Sequence, residues 1–187
     1  MRQEGSLSDV RPFRGALTRT AAAAGVGVLA AWAALAFNAV GSIFVTGAPS
    51  ELLHLLRVYA TFHHGAEALR ADVHAPAAIA TSMFLYTATG ALLGAPLYLV
   101  YRRWFGWHTA PWRALNAAWL GVVMWLVNYY AVLTWAQPLA LRILRYEGER
   151  RPYITEHIPG WVAAVTHVTF VAVVLLLQEP TKLTPRE

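Results

Sequence analysis

The chain has 187 residues, of which 57% are hydrophobic and only 13% charged, and its mean hydropathy is +0.43. Because about a quarter of the residues of a soluble domain are charged, this composition predicts an integral membrane protein. The absence of cysteine excludes disulfide scaffolds, cysteine metal sites and thiol nucleophiles. The fourteen arginines and the single Lys182 form no dense basic face, so we do not expect nucleic acid as a partner.

The predicted elements begin with the membrane spans. A hydrocarbon core of about 30 Å requires roughly 20 mostly apolar residues in a helix. Four segments meet that requirement: residues 21–45, 78–101, 115–136 and 160–178. They predict an all-α transmembrane domain over residues 21–178, with polar tails at 1–20 and 179–187. The first apolar run is longer than the hydrophobic region of a cleaved signal peptide, roughly 7 to 15 residues, so we expect an uncleaved signal anchor.

The distribution of basic residues predicts the orientation of the four spans. Nine of the fifteen Lys and Arg residues fall on the side of the two termini and six on the other side. The side richer in basic residues is normally cytoplasmic, so both termini are expected in the cytoplasm. The preference for Ala and for Arg over Lys is typical of high-GC bacterial genes. The expected location is therefore the bacterial cytoplasmic (inner) membrane.

The two outer loops, residues 46–77 and 137–159, contain apolar stretches that are unsuited to water. The first is predicted to be helical from about Pro49 to Arg70. The second begins with residues 138–146, in which Arg142 and Arg145 share one helical face and leucines occupy the other. Both patterns are typical of amphipathic helices at a membrane interface. We therefore predict one or two such helices on the outer face.

A group of histidines in the first outer loop has the composition of a metal site. His63, His64 and Glu67 lie three and four residues apart, so one helix could bring both imidazoles to the carboxylate, and His74 follows in the same loop. Imidazoles and carboxylates suit zinc, copper, nickel or non-haem iron. The spacing does not match the zinc protease motif, in which the second His comes four residues after the first. The alternative is a solvated, histidine-rich helix without a metal.

Each predicted span carries a polar group at a similar depth. Asn38, Asn128 and His167 lie roughly 10 to 12 Å from the outer ends of their spans, and Tyr86 falls near that level. Polar side chains at this depth are costly unless they find partners inside the bundle, so we expect all three to point inward. They could bind a b-type haem, a quinone or a pigment, with His167 as the ligand. They could equally fix the register of the helices, which is the default for a single intramembrane histidine.

A small-residue motif in the second span predicts close helix packing. Gly90 and Gly94 form a GxxxG pattern, and the first span has a similar small face at Gly27 and Ala31. Such residues allow two helix backbones to approach each other. Packing of the first span against the second explains the pattern without a dimer.

The function predicted from these patterns is that of a non-catalytic accessory or structural subunit of a larger bacterial membrane complex. No predicted span contains Asp, Glu, Lys or Arg, and no nucleophile or phosphate-binding motif is present, which argues against an enzyme or a proton-coupled carrier. A respiratory or photosynthetic complex of electron transport is the expected setting, with the lipid bilayer and other membrane subunits as partners. One alternative is a membrane protein that binds haem, quinone or a transition metal through outer-side histidines. Another is a small carrier or channel.

Overall fold

The computed structural model of the chain describes residues 10–46, 54–70, 76–106 and 108–178. All regular structure in these residues is helical, which confirms the predicted all-α class. The elements, in chain order, are α1 (Val10–Thr46), α2 (His54–His64), a 3-10 helix (Gly65–Leu69), α3 (Pro76–Phe105), α4 (Ala110–Trp125), a π-helical segment (Leu126–Val132), α5 (Leu133–Ile143), α6 (Tyr153–His157) and α7 (Gly160–Leu176).

Three of the described helices are long and apolar enough to cross a membrane. They are Ala16–Gly41 within α1, Pro76–Phe105, and the continuous helix Ala110–Ile143 formed by α4, the π segment and α5. Large apolar side chains on their outer faces are exposed, for example Leu92 and Phe84 of α3 at 74% and 71%. Such faces are compatible with contact to lipid. The fourth predicted span corresponds to α7, which has 17 residues.

The helices form an antiparallel bundle. α1 packs against α3 on one side and α7 on the other, and α7 packs along α4. Gly94 of α3 lies against both Gly27, in the middle of α1, and Phe170 of α7. Asn38, closer to the end of α1, donates a hydrogen bond to Thr166, closer to the start of α7. The start of α1 and the end of α7 therefore lie at the same end of the bundle. The tail predicted at residues 1–20 is helical from Val10 onward.

The third long helix extends further than expected, to Ile143. Residues 138–143 were expected to start a separate amphipathic helix on the outer face, but they prolong the third helix as part of α5. Pro138 lies inside this helix. The helix continues because Gln137 and Leu141 are fully buried and α5 packs against α2 and α6. Tertiary packing thus outweighs the helix-breaking tendency of proline.

Helices α2 and α6 pack over the part of the bundle where α7 begins. Val58 of α2 and Ile154 of α6 are buried in one apolar cluster with Tyr129, Ile158 and Ala163. The α-helix predicted from about Pro49 to Arg70 is described only from His54, and it changes to a 3-10 helix at Gly65, whose φ is +54°. This conformation favours glycine, and the ring of Tyr146 leaves no room there for a Cβ atom.

Candidate functional site

A cavity lies between the long helices of the bundle, beneath α2 and α6. It holds about 700 Å³ of empty space, counted together with its open mouth. Most of its lining is apolar, including Leu93 and Phe170. Seven polar side chains also line it: Tyr59, Tyr86, Thr89, Asn128, Tyr129, Thr166 and His167. An apolar cavity with a few convergent polar groups is the usual form of a small-molecule site.

The predicted residues Asn128 and His167 meet at the wall of this cavity. Asn128 Nδ2 lies 3.0 Å from His167 Nε2, and His167 Nδ1 lies 2.7 Å from the carbonyl oxygen of Ala163. A carbonyl can only accept, so Nδ1 carries the proton and Nε2 accepts a hydrogen bond from the Asn128 amide. Asn128 sits in the π segment, an irregularity often found at functional sites. A haem or metal at Nε2 would have to displace Asn128.

Asn38 contacts α7 at the level of His167, but it does not line the cavity. Its Nδ2 donates to Thr166 Oγ1 at 2.7 Å and contacts the carbonyl oxygen of Ala34 at 3.0 Å. Thr166 and His167 are neighbours on α7, so the three polar residues predicted to form one layer do cluster around a single turn of that helix. Asn38 serves the α1–α7 contact, whereas Asn128 and His167 also face the cavity.

Two tyrosines, Tyr59 of α2 and Tyr86 of α3, line the cavity. The rings of Tyr59 and Tyr86 meet edge to face, with centroids 5.0 Å apart. Neither hydroxyl has a hydrogen-bond partner among the described residues. Burial raises the pKa of Tyr59 to about 12, so its hydroxyl is a neutral donor at physiological pH. An unpaired hydroxyl in an apolar setting is costly, and a ligand with an acceptor would relieve that cost.

Buried hydrogen bonds hold α2 and residues 153–158, which together cover the cavity, in place. The Gln137 side chain accepts from the backbone N–H of Ile154 at 2.9 Å and donates to Thr61 of α2. The Tyr129 hydroxyl contacts the carbonyl oxygens of Thr155, at 3.0 Å, and Ile158. These bonds tie α2 and the α6 segment to the third long helix. The cover is therefore positioned by specific polar contacts in addition to apolar packing.

A second buried polar group lies at the opposite end of the bundle. Arg113, only 4% exposed, donates from Nε to the carbonyl oxygen of His108 at 2.9 Å and from Nη2 to that of Gly106 at 3.2 Å. Its Nη1 reaches the carbonyl oxygens of Leu175 and Gln178 at the end of α7. A guanidinium at this place satisfies terminal carbonyls and complements the negative end of the helix dipole. The hydrogen bonds of Arg113 therefore connect the end of α7 to the residues between α3 and α4.

Three of the four predicted metal residues, His63, His64 and Glu67, are described, and none of them lines the cavity. The rings of His63 and His64 are 4.6 Å apart between centroids, and Glu67 is exposed in the 3-10 helix. Within the described ranges no three His, Asp or Glu residues are close enough to hold a metal ion. His74 lies outside the described residues. The metal site thus stays a prediction.

The glycines of the small-residue motif lie directly on α1. A Cβ atom on Gly90 would collide with Ala31, and one on Gly94 would collide with the backbone of Gly27. The motif therefore occupies the contact between α1 and α3. A glycine also allows a close contact between α4 and α7, where a Cβ on Gly121 would lie 2.8 Å from a side-chain atom of Val168.

Sequence reasoning missed three groups that the structure places in important positions. Tyr59 and Gln137 belonged to loops in the prediction, and Arg113 was counted only as an orienting charge. A polar residue next to a long apolar run was the one available signal for Gln137.

Comparison of the chain with protein family models, with curated proteins and with solved structures finds no match in any of the three.

Proposed function

We propose that the chain is a four-span membrane protein that binds a lipophilic small molecule in the cavity between its helices. The observation that carries this proposal is the apolar cavity at whose wall the Asn128–His167 pair lies. The pair is neutral, and both ring nitrogens of His167 already have hydrogen-bond partners. Asn128 still has one amide N–H and its side-chain oxygen available for a ligand. This arrangement supports binding of a ligand with few polar atoms.

The fourth span in this proposal is α7. Its 17 residues cover about 26 Å, which is at the short end of the range for membrane helices. Two features support a membrane position: α7 contains no Asp, Glu, Lys or Arg, and the charged Arg113 lies beside its last carbonyls. The nine-to-six distribution of basic residues supports placing both termini at the cytoplasmic face of a bacterial inner membrane.

Native mass spectrometry tests the ligand proposal. The full chain, purified in a mild detergent and incubated with a total bacterial lipid extract, should retain one lipophilic adduct per chain. Met124→Trp should abolish that adduct, because Met124 lines the cavity and the larger ring would obstruct it. Val123→Trp is the matched control, since its neighbouring side chain is 42% exposed on the outside of the same helix. A wild-type chain without an adduct, or an adduct that survives Met124→Trp, would refute the proposal.

The accessory-subunit function remains a second proposal, favoured by exposed aromatic residues away from the ends of the long helices. Trp32 lies in the middle of Ala16–Gly41 and is 40% exposed, and Trp119 of α4 is 54% exposed. Tryptophan normally prefers the membrane interface, so such positions suit contact with another membrane helix. A complex in a respiratory or photosynthetic membrane would account for them.

Affinity purification of the tagged chain from its own membrane tests this second proposal. We expect other membrane polypeptides to copurify in a fixed ratio and to be lost after Trp32→Ala. The control is Phe84→Ala, which removes a still more exposed ring, 71% against 40%, from a different helix. Recovery of the chain alone in several mild detergents would contradict the subunit function. The described residues offer no observation that favours a carrier or channel over these two functions.

A further inference from the structure

The hydrogen-bonding capacity of the cavity narrows the class of ligand, provided that the cavity binds a lipophilic molecule as proposed above. Thr89 and Thr166 use their hydroxyl protons within their own helices, on the carbonyl oxygens of Leu85 and Val162. His167 uses its proton on the carbonyl oxygen of Ala163, and Tyr129 uses its hydroxyl proton on the carbonyl oxygens of Thr155 and Ile158. The remaining side-chain donors at the cavity are therefore the hydroxyls of Tyr59 and Tyr86 and one N–H of Asn128.

These donors belong to two different walls. Tyr59 and Tyr86 come from α2 and α3, which pack against each other, whereas Asn128 comes from the π segment beside α7. A ligand that satisfies both walls needs a hydrogen-bond acceptor on each of two sides. The edge-to-face tyrosine rings also offer aromatic surface, which favours a flat, unsaturated ring between the walls.

The lining also excludes charged ligands. None of the described residues that line the cavity is Asp, Glu, Lys or Arg, and His167 is neutral with its single proton on Nδ1. A carboxylate or phosphate in this apolar setting would lack a counter-charge, which is strongly unfavourable. The ligand must therefore carry neutral acceptors.

We infer that the cavity is a binding site for a quinone, a neutral ring with carbonyl oxygens on two opposite sides. The hydroxyls of Tyr59 and Tyr86 donate to one carbonyl, and the free N–H of Asn128 donates to the other. The apolar side chains, such as Leu93 and Ile158, surround the ring and its hydrocarbon substituent.

Calorimetric titration of the purified full chain tests this inference, with decylubiquinone as the probe and decylbenzene as a ligand of similar tail without carbonyls. Losing one neutral hydrogen bond should weaken quinone binding about fivefold in Tyr59→Phe and in Tyr86→Phe, and about thirtyfold in the double variant. Tyr130→Phe is the matched control because Tyr130 is 52% exposed and does not line the cavity. Decylbenzene should bind the wild-type chain at least about tenfold more weakly than the quinone, a comparison that requires no variant.

The outcomes separate this inference from the broader proposal. Equal affinity for the two ligands, or quinone affinity unchanged in the double variant, would overturn the quinone assignment and leave an apolar occupant. Absence of quinone binding together with a retained lipid adduct would also overturn it, while the ligand proposal stands. Absence of both quinone binding and any adduct would overturn both.

Discussion

The contact between α1 and α3 depends on the absence of a side chain at Gly27. A Cβ atom there would lie 2.9 Å from the Cα atom of Gly94 and even closer to the carbonyl oxygen of Gly90. Both neighbours are backbone atoms, which cannot rotate away as the end of a side chain can. Gly27→Ala therefore forces the two helices apart.

The expected cost follows from comparison with Gly25 on the same helix. Replacement of glycine by alanine in a helix stabilises by roughly 0.5–1 kcal/mol, and this gain applies to both positions. Gly25→Ala adds a Cβ atom that has no neighbour within 4 Å, so this variant should show only the increase in the free energy of unfolding. Gly27→Ala also carries the cost of overpacking, about 1–3 kcal/mol. The free energy of unfolding should thus differ between the two variants by about that amount.

Thermal unfolding in one detergent, followed by circular dichroism or size-exclusion chromatography, measures this difference. For a chain of this length each kcal/mol corresponds to roughly 2–4 °C, so the midpoint of Gly27→Ala should lie about 2–12 °C below that of Gly25→Ala. Gly94→Ala should resemble Gly27→Ala because its Cβ would meet the Gly27 backbone. If Gly27→Ala unfolds at the same temperature as Gly25→Ala, the close approach of α1 and α3 is wrong.

Three further predictions concern the buried polar groups. A double-mutant cycle with Asn128→Leu and His167→Phe should give a coupling of about 0.6 kcal/mol and at most about 1.7, as for other hydrogen bonds between membrane helices. Gln137→Leu should cost about 1–3 kcal/mol and speed amide hydrogen exchange at Ile154, whose N–H loses its acceptor. Arg113→Ala should cost about 2–3 kcal/mol and expose the end of α7 to proteolysis, because several buried carbonyls lose a charged donor.

Each of these predictions has a matched control. Asn116→Leu with His167→Phe should show additive effects, because Asn116 bonds Tyr101 at the other end of the bundle. Gln137→Glu keeps the acceptor for Ile154, so exchange at that amide should stay slow. Arg103→Ala removes an exposed arginine from the end of α3 and should leave stability unchanged within about 0.5 kcal/mol. Equal effects of Arg103→Ala and Arg113→Ala would contradict the role of Arg113 as a helix fastener.

Hydropathy along the chain was enough to predict the helical class and the positions of the long apolar segments. Hydropathy over about 20 residues is a local property, so it located α1, α3 and the third helix without knowledge of their neighbours. The small residues at Gly90 and Gly94 indicated a close helix contact for the same reason. The similar level of Asn128 and His167 within the bundle also followed from residue counting along their helices.

Which polar groups meet, and where space remains between the helices, could not be predicted from such local patterns. The bond between Asn128 and His167 joins positions 39 residues apart, and that between Gln137 and Thr61 joins positions 76 apart. No local pattern encodes such pairs, because they depend on how the helices are rotated and which ones are neighbours. The burial of Arg113 has the same origin, since its acceptors at the end of α7 are 62 and 65 residues away. The cavity is likewise the space that the helices and their cover leave unfilled, so packing in three dimensions alone creates it.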